Sequence, residues 1–369
     1  MLKCLVVLIA SFLLIFPAMA QACTGITLKG ADGTIVHSRT LEWGEFNLFP
    51  RLDIVPEGYV FESEKMPDGK AGMKWKTRYG FVGISMLHKN AYVDGLNEKG
   101  LAAGMFYLPG FSKYPAYQPD KASSSMAPTD LLSYVLSCCS SVADAREALT
   151  KIHVAPVIEP SLGFTAPMHL MITDRTGTSI VVEFIDNKMV VFDAPLGVIT
   201  NSPNYDWHMT NLRNYINMSA VSLPTKKLSG DDFAPLGYGT GMLGLPGDFT
   251  PPSRFVRAVA FSQAARKTTG GYDTVRESFR ILDNFDVPID ATEVAENAKR
   301  GGKKMFSSTQ ITTAADTKNE VFYYHTQFNR RVRKVELKKI PFGKMGTKMV
   351  TRPADESRND DIKDVTPKL

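Results

Sequence analysis

Cys23-Thr24-Gly25-Ile26-Thr27-Leu28-Lys29-Gly30-Ala31-Asp32-Gly33-Thr34-Ile35-Val36-His37-Ser38-Arg39-Thr40 reads as a hairpin from which the rest of the fold can be built outward. Cys23 to Lys29 has strand composition, Gly30-Ala31-Asp32-Gly33 carries turn chemistry, and Thr34 to Thr40 runs back. A symmetrical four-residue loop predicts Lys29 opposite Thr34, hence Cys23 opposite Thr40, with Arg39 and Glu42 within a few residues of the Cys23 nitrogen. Side chains alternate between the faces of a strand, so a slip of one residue would carry Arg39 to the other face.

What precedes the hairpin reads as a leader. Lys3 supplies a short basic start, Leu5 to Phe16 form a largely apolar run, and small residues follow in Pro17-Ala18-Met19-Ala20-Gln21-Ala22. The run is too short to span a bilayer, so residues 1–22 are predicted to be a secretory signal peptide and the mature chain to be periplasmic or secreted. Two cut points fit the small-residue pattern: after Ala22, which makes Cys23 the first residue, or after Ala20. A retained anchor and a lipidated Cys23 are the alternatives. Against lipidation, Ala20-Gln21-Ala22 lacks a large apolar residue three before the cysteine.

The whole chain has 369 residues and a formal charge of +5, from 43 Lys and Arg against 38 Asp and Glu. That balance is too weak for a nucleic-acid footprint. No second apolar segment is long enough to span a membrane, so no stable insertion is expected after processing. The six histidines show no metal-ligand spacing, and neither a Walker nor a dinucleotide fingerprint occurs, so no metal and no cofactor is implied. Cys138 and Cys139 sit in a helical pattern and should be small buried hydrophobes, which leaves Cys23 as the odd thiol.

Further strands are predicted at Tyr79–Leu87, Leu101–Leu108, His169–Thr173, Ser179–Phe184, Lys188–Phe192, Thr309–Ala314, Glu320–His325 and Arg331–Leu337. Helices are predicted at Thr129–Cys139, at Val142–Ile152 behind the N-cap Ser141, from Tyr205 to Ile216, and at Arg254–Lys267 behind Pro251-Pro252-Ser253. Strand blocks separated by helix pairs, without strict alternation, point to an α+β class with one domain over residues 23–350. Residues 351–369 are polar and charged without an apolar period, and read as a flexible tail.

A cysteine placed first in a chain unites a nucleophile with a base. Its α-amine, with a reference pKa of about 7.7–8.0, can shuttle the proton that the thiol gives up. A guanidinium such as Arg39 would favour the thiolate, and Glu42 could orient the ammonium. Attack on an amide further needs donors for the oxyanion. A solute-binding protein of this size is the non-catalytic alternative.

Several separated blocks then carry a resemblance. They are Cys23-Thr24, Arg39-Thr40-Leu41-Glu42-Trp43, Gly95 to Leu101, Thr200-Asn201-Ser202-Pro203 with Asp206-Trp207-His208, Gly244 to Asp248, Ser253 to Arg257, and Thr312 to Asp316. In this order they resemble the choloylglycine hydrolases, that is bile salt hydrolases and penicillin V acylases, within the N-terminal nucleophile hydrolases. The resemblance implies a four-layer αββα sandwich with mainly antiparallel sheets. It also implies hydrolysis of a linear amide with a hydrophobic acyl group and no cofactor, and makes a homotetramer an expectation. Carried onto this chain, it makes Cys23 the nucleophile, Arg39 the arginine beside the thiol, Asn201 the side-chain oxyanion donor, and Arg254 the arginine that completes the polar site. From the residues alone, Arg39 and Arg254 could be surface ion pairs and Asn201 a turn residue. Glu42 departs from the family's usual aspartate by one methylene. Tyr107 stands where bile salt hydrolases have an oxyanion-hole asparagine and penicillin V acylases often have tyrosine. It tilts the substrate towards penicillin V or an acyl homoserine lactone, with conjugated bile salts as the alternative. Trp43 is the candidate aromatic wall of the acyl pocket; core packing is the competing role for both aromatics.

Overall fold

The computed structural model describes residues 23–44, 47–289, 291–292, 308–355, 361–363 and 365–366. The predicted leader lies outside the described residues. Strand β1 (Cys23–Lys29) and strand β2 (Ile35–Trp43) form the expected hairpin, but one residue out of the predicted register: Lys29 faces Ile35 and Cys23 faces Leu41. The loop explains the shift. Gly30 N–H donates to Thr34 O at 2.8 Å, so these two residues extend the ladder and leave Ala31-Asp32-Gly33 as the turn. Gly33 takes φ 79°, the left-handed third position of a three-residue hairpin loop, and the Asp32 carboxylate accepts from Thr34 N and Oγ1. Consequently Cys23, Gly25, Arg39 and Leu41 share one face, while Thr24, Thr40 and Glu42 share the other.

The remaining principal strands are β3 (Arg51–Val55), β4 (Phe81–Met86), β5 (Ala91–Asn97), β6 (Ala102–Tyr107), β7 (Met168–Thr173), β8 (Ser179–Ile185), β9 (Lys188–Asp193), β10 (Val198–Ile199), β11 (Ser308–Asp316), β12 (Val321–Thr326), β13 (Asn329–Glu336) and β14 (Val350–Pro353). They make a six-stranded sheet in the order β10-β1-β2-β11-β12-β13 and an eight-stranded sheet in the order β9-β8-β7-β6-β5-β4-β3-β14, with every pairing antiparallel. Helices α1 (Leu131–Cys138) and α2 (Val142–Leu149) cover the larger sheet. Helix α3 (Tyr205–Asn211) follows β10, and α4 (Pro251–Ala264) and α5 (Gly271–Leu282) cover the smaller sheet. Residues such as Ile311, Phe106, Leu96, Met171 and Val181 fill the space between the sheets, and a second core lies beneath α1 and α2. The layers are αββα.

Local chemistry accounts for most boundaries. Ser141 Oγ accepts from Asp144 N at 3.1 Å, so α2 starts where its N-cap requires. Pro251 and Pro252 open α4 without forfeiting a helical hydrogen bond. Three expectations need correction. The helix after Pro203 ends at Asn211 and tightens to a 3₁₀ turn through Tyr215, leaving Ile216 exposed. The expected tail begins as β14: Arg352 pairs with Leu52, and Ala354 is buried with its N–H on Pro50 O at 2.9 Å. All four β14 residues are exposed, so the strand leaves no apolar period in its sequence. The register of the first hairpin is the third. Cys139 is buried in the second core and Cys138 only partly so, both as free thiols; burial holds both thiols above their ordinary range, Cys139 up to about 12.

Candidate active site

Cys23 opens β1 with its side chain towards the space between the sheets, and its own main chain is held at both ends. Its nitrogen donates to Asn201 Oδ1 at 2.8 Å, and its carbonyl accepts from Arg254 Nη1 at 2.6 Å. That nitrogen is a peptide N–H here; removal of the preceding residues would leave an α-amine in its place. The Glu42 main-chain N–H also hydrogen-bonds the Cys23 thiol.

One strand and one helix deliver these partners. β10 pairs with β1, Ile199 opposite Gly25, so the chain emerging from β10 brings Thr200-Asn201 alongside the start of β1. α4 lies on the opposite face and sends Arg254 inward, fully buried. Its guanidinium donates from Nε to Phe249 O at 2.9 Å, from Nη1 to Thr24 Oγ1 at 2.9 Å, and from Nη2 to Asn201 Oδ1 at 2.7 Å. Burial, with a smaller push from Arg257, lowers its pKa to about 10 while Glu42, Cys23 and Asp248 oppose the drop, so it remains a cation at neutral pH. Asn201 Nδ2 donates to Tyr107 O at 2.7 Å, which leaves its second hydrogen for another acceptor. His208 adds a hydrogen bond from Nε2 to Asn201 O at 2.8 Å; burial lowers its pKa to about 4, so the ring is neutral.

Arg39 reaches across the gap between the sheets. Nη1 donates to Val93 O at 2.7 Å and Met105 O at 2.6 Å, and the guanidinium lies 4.5 Å from the centroid of the Phe106 ring. It is the largest charge acting to lower the Cys23 pKa, yet burial outweighs it and the net shift is upward. Arg39 thus favours the thiolate, while burial of Cys23 in the unprocessed chain favours the thiol. Glu42 lies on the helix-facing side of β2, near Arg254, Thr40 and Thr309 Oγ1, the last at 3.4 Å. Burial raises its carboxyl to about 7. The one hydrogen of the Cys23 peptide nitrogen goes to Asn201 Oδ1, and Glu42 lies on the strand face opposite the thiol.

The structure thus brings Cys23, Arg39, Glu42, Asn201 and Arg254 together. Tyr107 joins them through its carbonyl, as an acceptor from Asn201, and its ring packs edge-on against Trp43 at 5.8 Å. Both aromatics are buried in the core between the sheets, the competing role considered for each. Sequence reading missed Thr24, Phe106 and His208. His208 was legible only as part of the Asp206-Trp207-His208 block, and Phe106 carried no signal, because its function is set by Gly25 and Arg39 on the other sheet.

Residues 23–350 match the family model described as linear amide C–N hydrolases, choloylglycine hydrolase family. A bile salt hydrolase/transferase of Clostridium perfringens is 31% identical over 86% of this chain and 93% of its own. A penicillin V acylase of Pectobacterium atrosepticum is 26% identical over 84% of this chain and 79% of its own. Among solved structures, a mutant conjugated bile acid hydrolase from Clostridium perfringens has a TM-score of 0.75 at 29% identity, covering 89% of this chain and 96% of that one. Penicillin V acylase from Agrobacterium tumefaciens has a TM-score of 0.73 at 24% identity, covering 92% and 98%, a likeness of fold.

Proposed function

This chain belongs to the choloylglycine hydrolase family and is a linear amide C–N hydrolase, and we propose that its nucleophile is Cys23, made N-terminal by removal of residues 1–22. The observation that carries this reading is the hydrogen bond from the Cys23 nitrogen to Asn201 Oδ1, itself gripped by Arg254, with the thiol on the same strand face as Arg39. A free amine at that nitrogen would take the proton from the neutral thiol as sulfur attacks the amide carbon. The second hydrogen of Asn201 Nδ2 and the Tyr107 main-chain N–H would hold the oxyanion. The amine would return the proton to the leaving nitrogen, and water would hydrolyse the thioester. Arg254 and Glu42, on the helix side, would fix the Cys23 main chain and balance its charge. A lipidated Cys23, having neither free thiol nor free amine, fits no such enzyme.

The substrate in this reading is a small amide with a hydrophobic or aromatic acyl group, penicillin V or an acyl homoserine lactone. Tyr107, at a position where penicillin V acylases often have tyrosine, supports it. A second reading, a conjugated bile salt, is favoured by the higher identity to the bile salt hydrolase/transferase. Turnover of penicillin V, a long-chain acyl homoserine lactone and glycocholate by one preparation separates the two; glycocholate as much the best substrate defeats the first. N-terminal sequencing and intact mass of the exported protein should give Cys23 with an unmodified amine. Retained residues ahead of Cys23 in an active preparation would defeat the nucleophile assignment.

A homotetramer is part of the same reading. Among the residues between α3 and α4, Leu236 and Tyr238 are fully exposed, and Phe233 and Leu243 largely so. Light scattering on the wild type and on Leu236→Ser with Tyr238→Ser should show a tetramer and its dissociation; a monomeric wild type at micromolar concentration rejects it.

A further inference from the structure

The reaction above leaves unused a buried histidine–glutamate pair that holds the Thr200–Asn201 segment. His169 on β7 and Glu183 on β8 project into the gap between the sheets, both essentially inaccessible. His169 Nδ1 lies 3.0 Å from Glu183 Oε1, and Nε2 lies 3.1 Å from Thr200 O. The Thr200 carbonyl only accepts, so Nε2 carries the hydrogen of that contact, and Nδ1 shares a hydrogen with the Glu183 carboxyl group. Glu183 also accepts from Tyr205 N at 3.1 Å with each oxygen, and from Asn204 Nδ2 at 3.4 Å. One carboxylate therefore ties down both ends of the Thr200–Tyr205 segment, at Thr200 through His169 and at Tyr205 directly. Asn201 lies between the two ties. The Phe106 ring meets His169 edge-on at 6.1 Å and also lies against the Arg39 guanidinium, so the brace and that cation share one aromatic neighbour.

We infer that Glu183 and His169 are positioning residues, which fix Asn201 from the larger sheet so that its side chain meets the Cys23 nitrogen and the developing oxyanion; this rests on the function proposed above. Fully satisfied buried polar networks rigidify their surroundings and can hold one geometry against alternatives. Here the geometry is that of an amide whose Oδ1 and one N–H are already committed, so a shift of its main chain misdirects the remaining hydrogen. A misplacement of about 1 Å can cost about 10²-fold in rate.

The test compares wild type, Glu183→Gln, His169→Gln and Asn201→Ala on penicillin V and glycocholate. It reads kcat, KM, the alkylation rate of Cys23 by iodoacetamide, and melting temperature. Alkylation displaces iodide and forms no oxyanion, so it reports thiol access and reactivity apart from the oxyanion donor Asn201 Nδ2. The expected result for Glu183→Gln and His169→Gln is kcat about 10–100-fold lower, KM within threefold and alkylation within twofold. Folded variants with unchanged kcat, or with kcat and alkylation falling together, overturn the inference. If Glu183→Gln does not fold, Glu183→Asp keeps the charge and withdraws it; a smaller kcat loss with the same split is expected, and unchanged kcat overturns it. Normal turnover by Asn201→Ala removes both this inference and the oxyanion assignment beneath it. An inactive Asn201→Ala beside fully active Glu183 and His169 variants removes the inference alone.

Discussion

Replacing Gly25 by alanine should impair turnover without touching a reacting group. Gly25 stands where three strands meet, opposite Arg39 on β2 and Ile199 on β10. An added Cβ would lie 2.5 Å from Phe106 Cζ and 2.7 Å from Ile199 Cγ2. Carbon atoms rest about 3.5–4.0 Å apart, so something must retreat by about 1 Å. The Phe106 ring is confined on its other edge, where a Cβ on Gly104 would already come within 3.0 Å of Cε2. The strain therefore passes to the Arg39 guanidinium above the ring and, through Ile199, to Thr200-Asn201. Overpacking of this kind costs about 1–3 kcal/mol. At about 2–4 °C per kcal/mol for domains of 150–250 residues, and less for a longer chain, the melting temperature should drop by a few degrees. Because both Arg39 and Asn201 move, kcat should fall about 10–100-fold, with KM within threefold. Steady-state kinetics with melting curves read both. Phe106→Leu in the Gly25→Ala background frees room and should recover at least threefold in kcat. A folded Gly25→Ala enzyme with kcat within twofold of wild type, or a double variant no better than the single, would refute the reasoning.

Arg254→Lys should lower kcat at least about tenfold, because one ammonium cannot serve Cys23 O, Thr24 Oγ1, Asn201 Oδ1 and Phe249 O together; wild-type kinetics in that variant would count against the assignment. Glu42 has its carboxyl raised from 4.5 to about 7 by burial, so its contribution to stability is complete below pH 4.5 and lost as pH rises through 7. Urea midpoints should show Glu42→Gln gaining on wild type between pH 4.5 and 8, by up to about 3 kcal/mol at 1.36 kcal/mol per pH unit; a gain in the opposite direction rejects the buried-carboxyl account. Truncation after Met349 removes β14 and bares the edge of β3, so the shortened chain should melt lower and scatter more light on standing. Equal melting and scattering would show that the pairing contributes nothing.

Much of this architecture was legible because strand and helix periods are written in apolar spacing. β8 and β9 with their turn at Asp186-Asn187, and α2 behind Ser141, lie almost where spacing and turn chemistry put them. α5 was legible and passed over: Val275, Phe279 and Leu282 keep helical spacing and all are buried. β5 and β14 were hidden for opposite reasons. β5 buries Asp94 and Asn97, polar residues whose partners Thr313, Leu136 and Cys139 are distant in sequence, whereas β14 buries no side chain of its own. Within the site, residue types were readable but relations were not. Which oxygen receives the Cys23 nitrogen depends on β10 lying beside β1, a pairing across more than 170 residues. That burial overrides Arg39 at the thiol likewise depends on packing that no local spacing encodes.

The three-residue loop Ala31-Asp32-Gly33 has a consequence for anyone editing or aligning this chain. Its length counts as strictly as the identity of any polar residue, because strand faces have parity. Deleting or adding one residue there while keeping the flanking strands paired would turn Arg39 towards the helices and Glu42 towards the thiol, with every side chain of the site still present. A single-position gap in a surface turn thus deserves the scrutiny usually given to a lost nucleophile, and loop libraries built on this scaffold should vary that turn's composition and never its length.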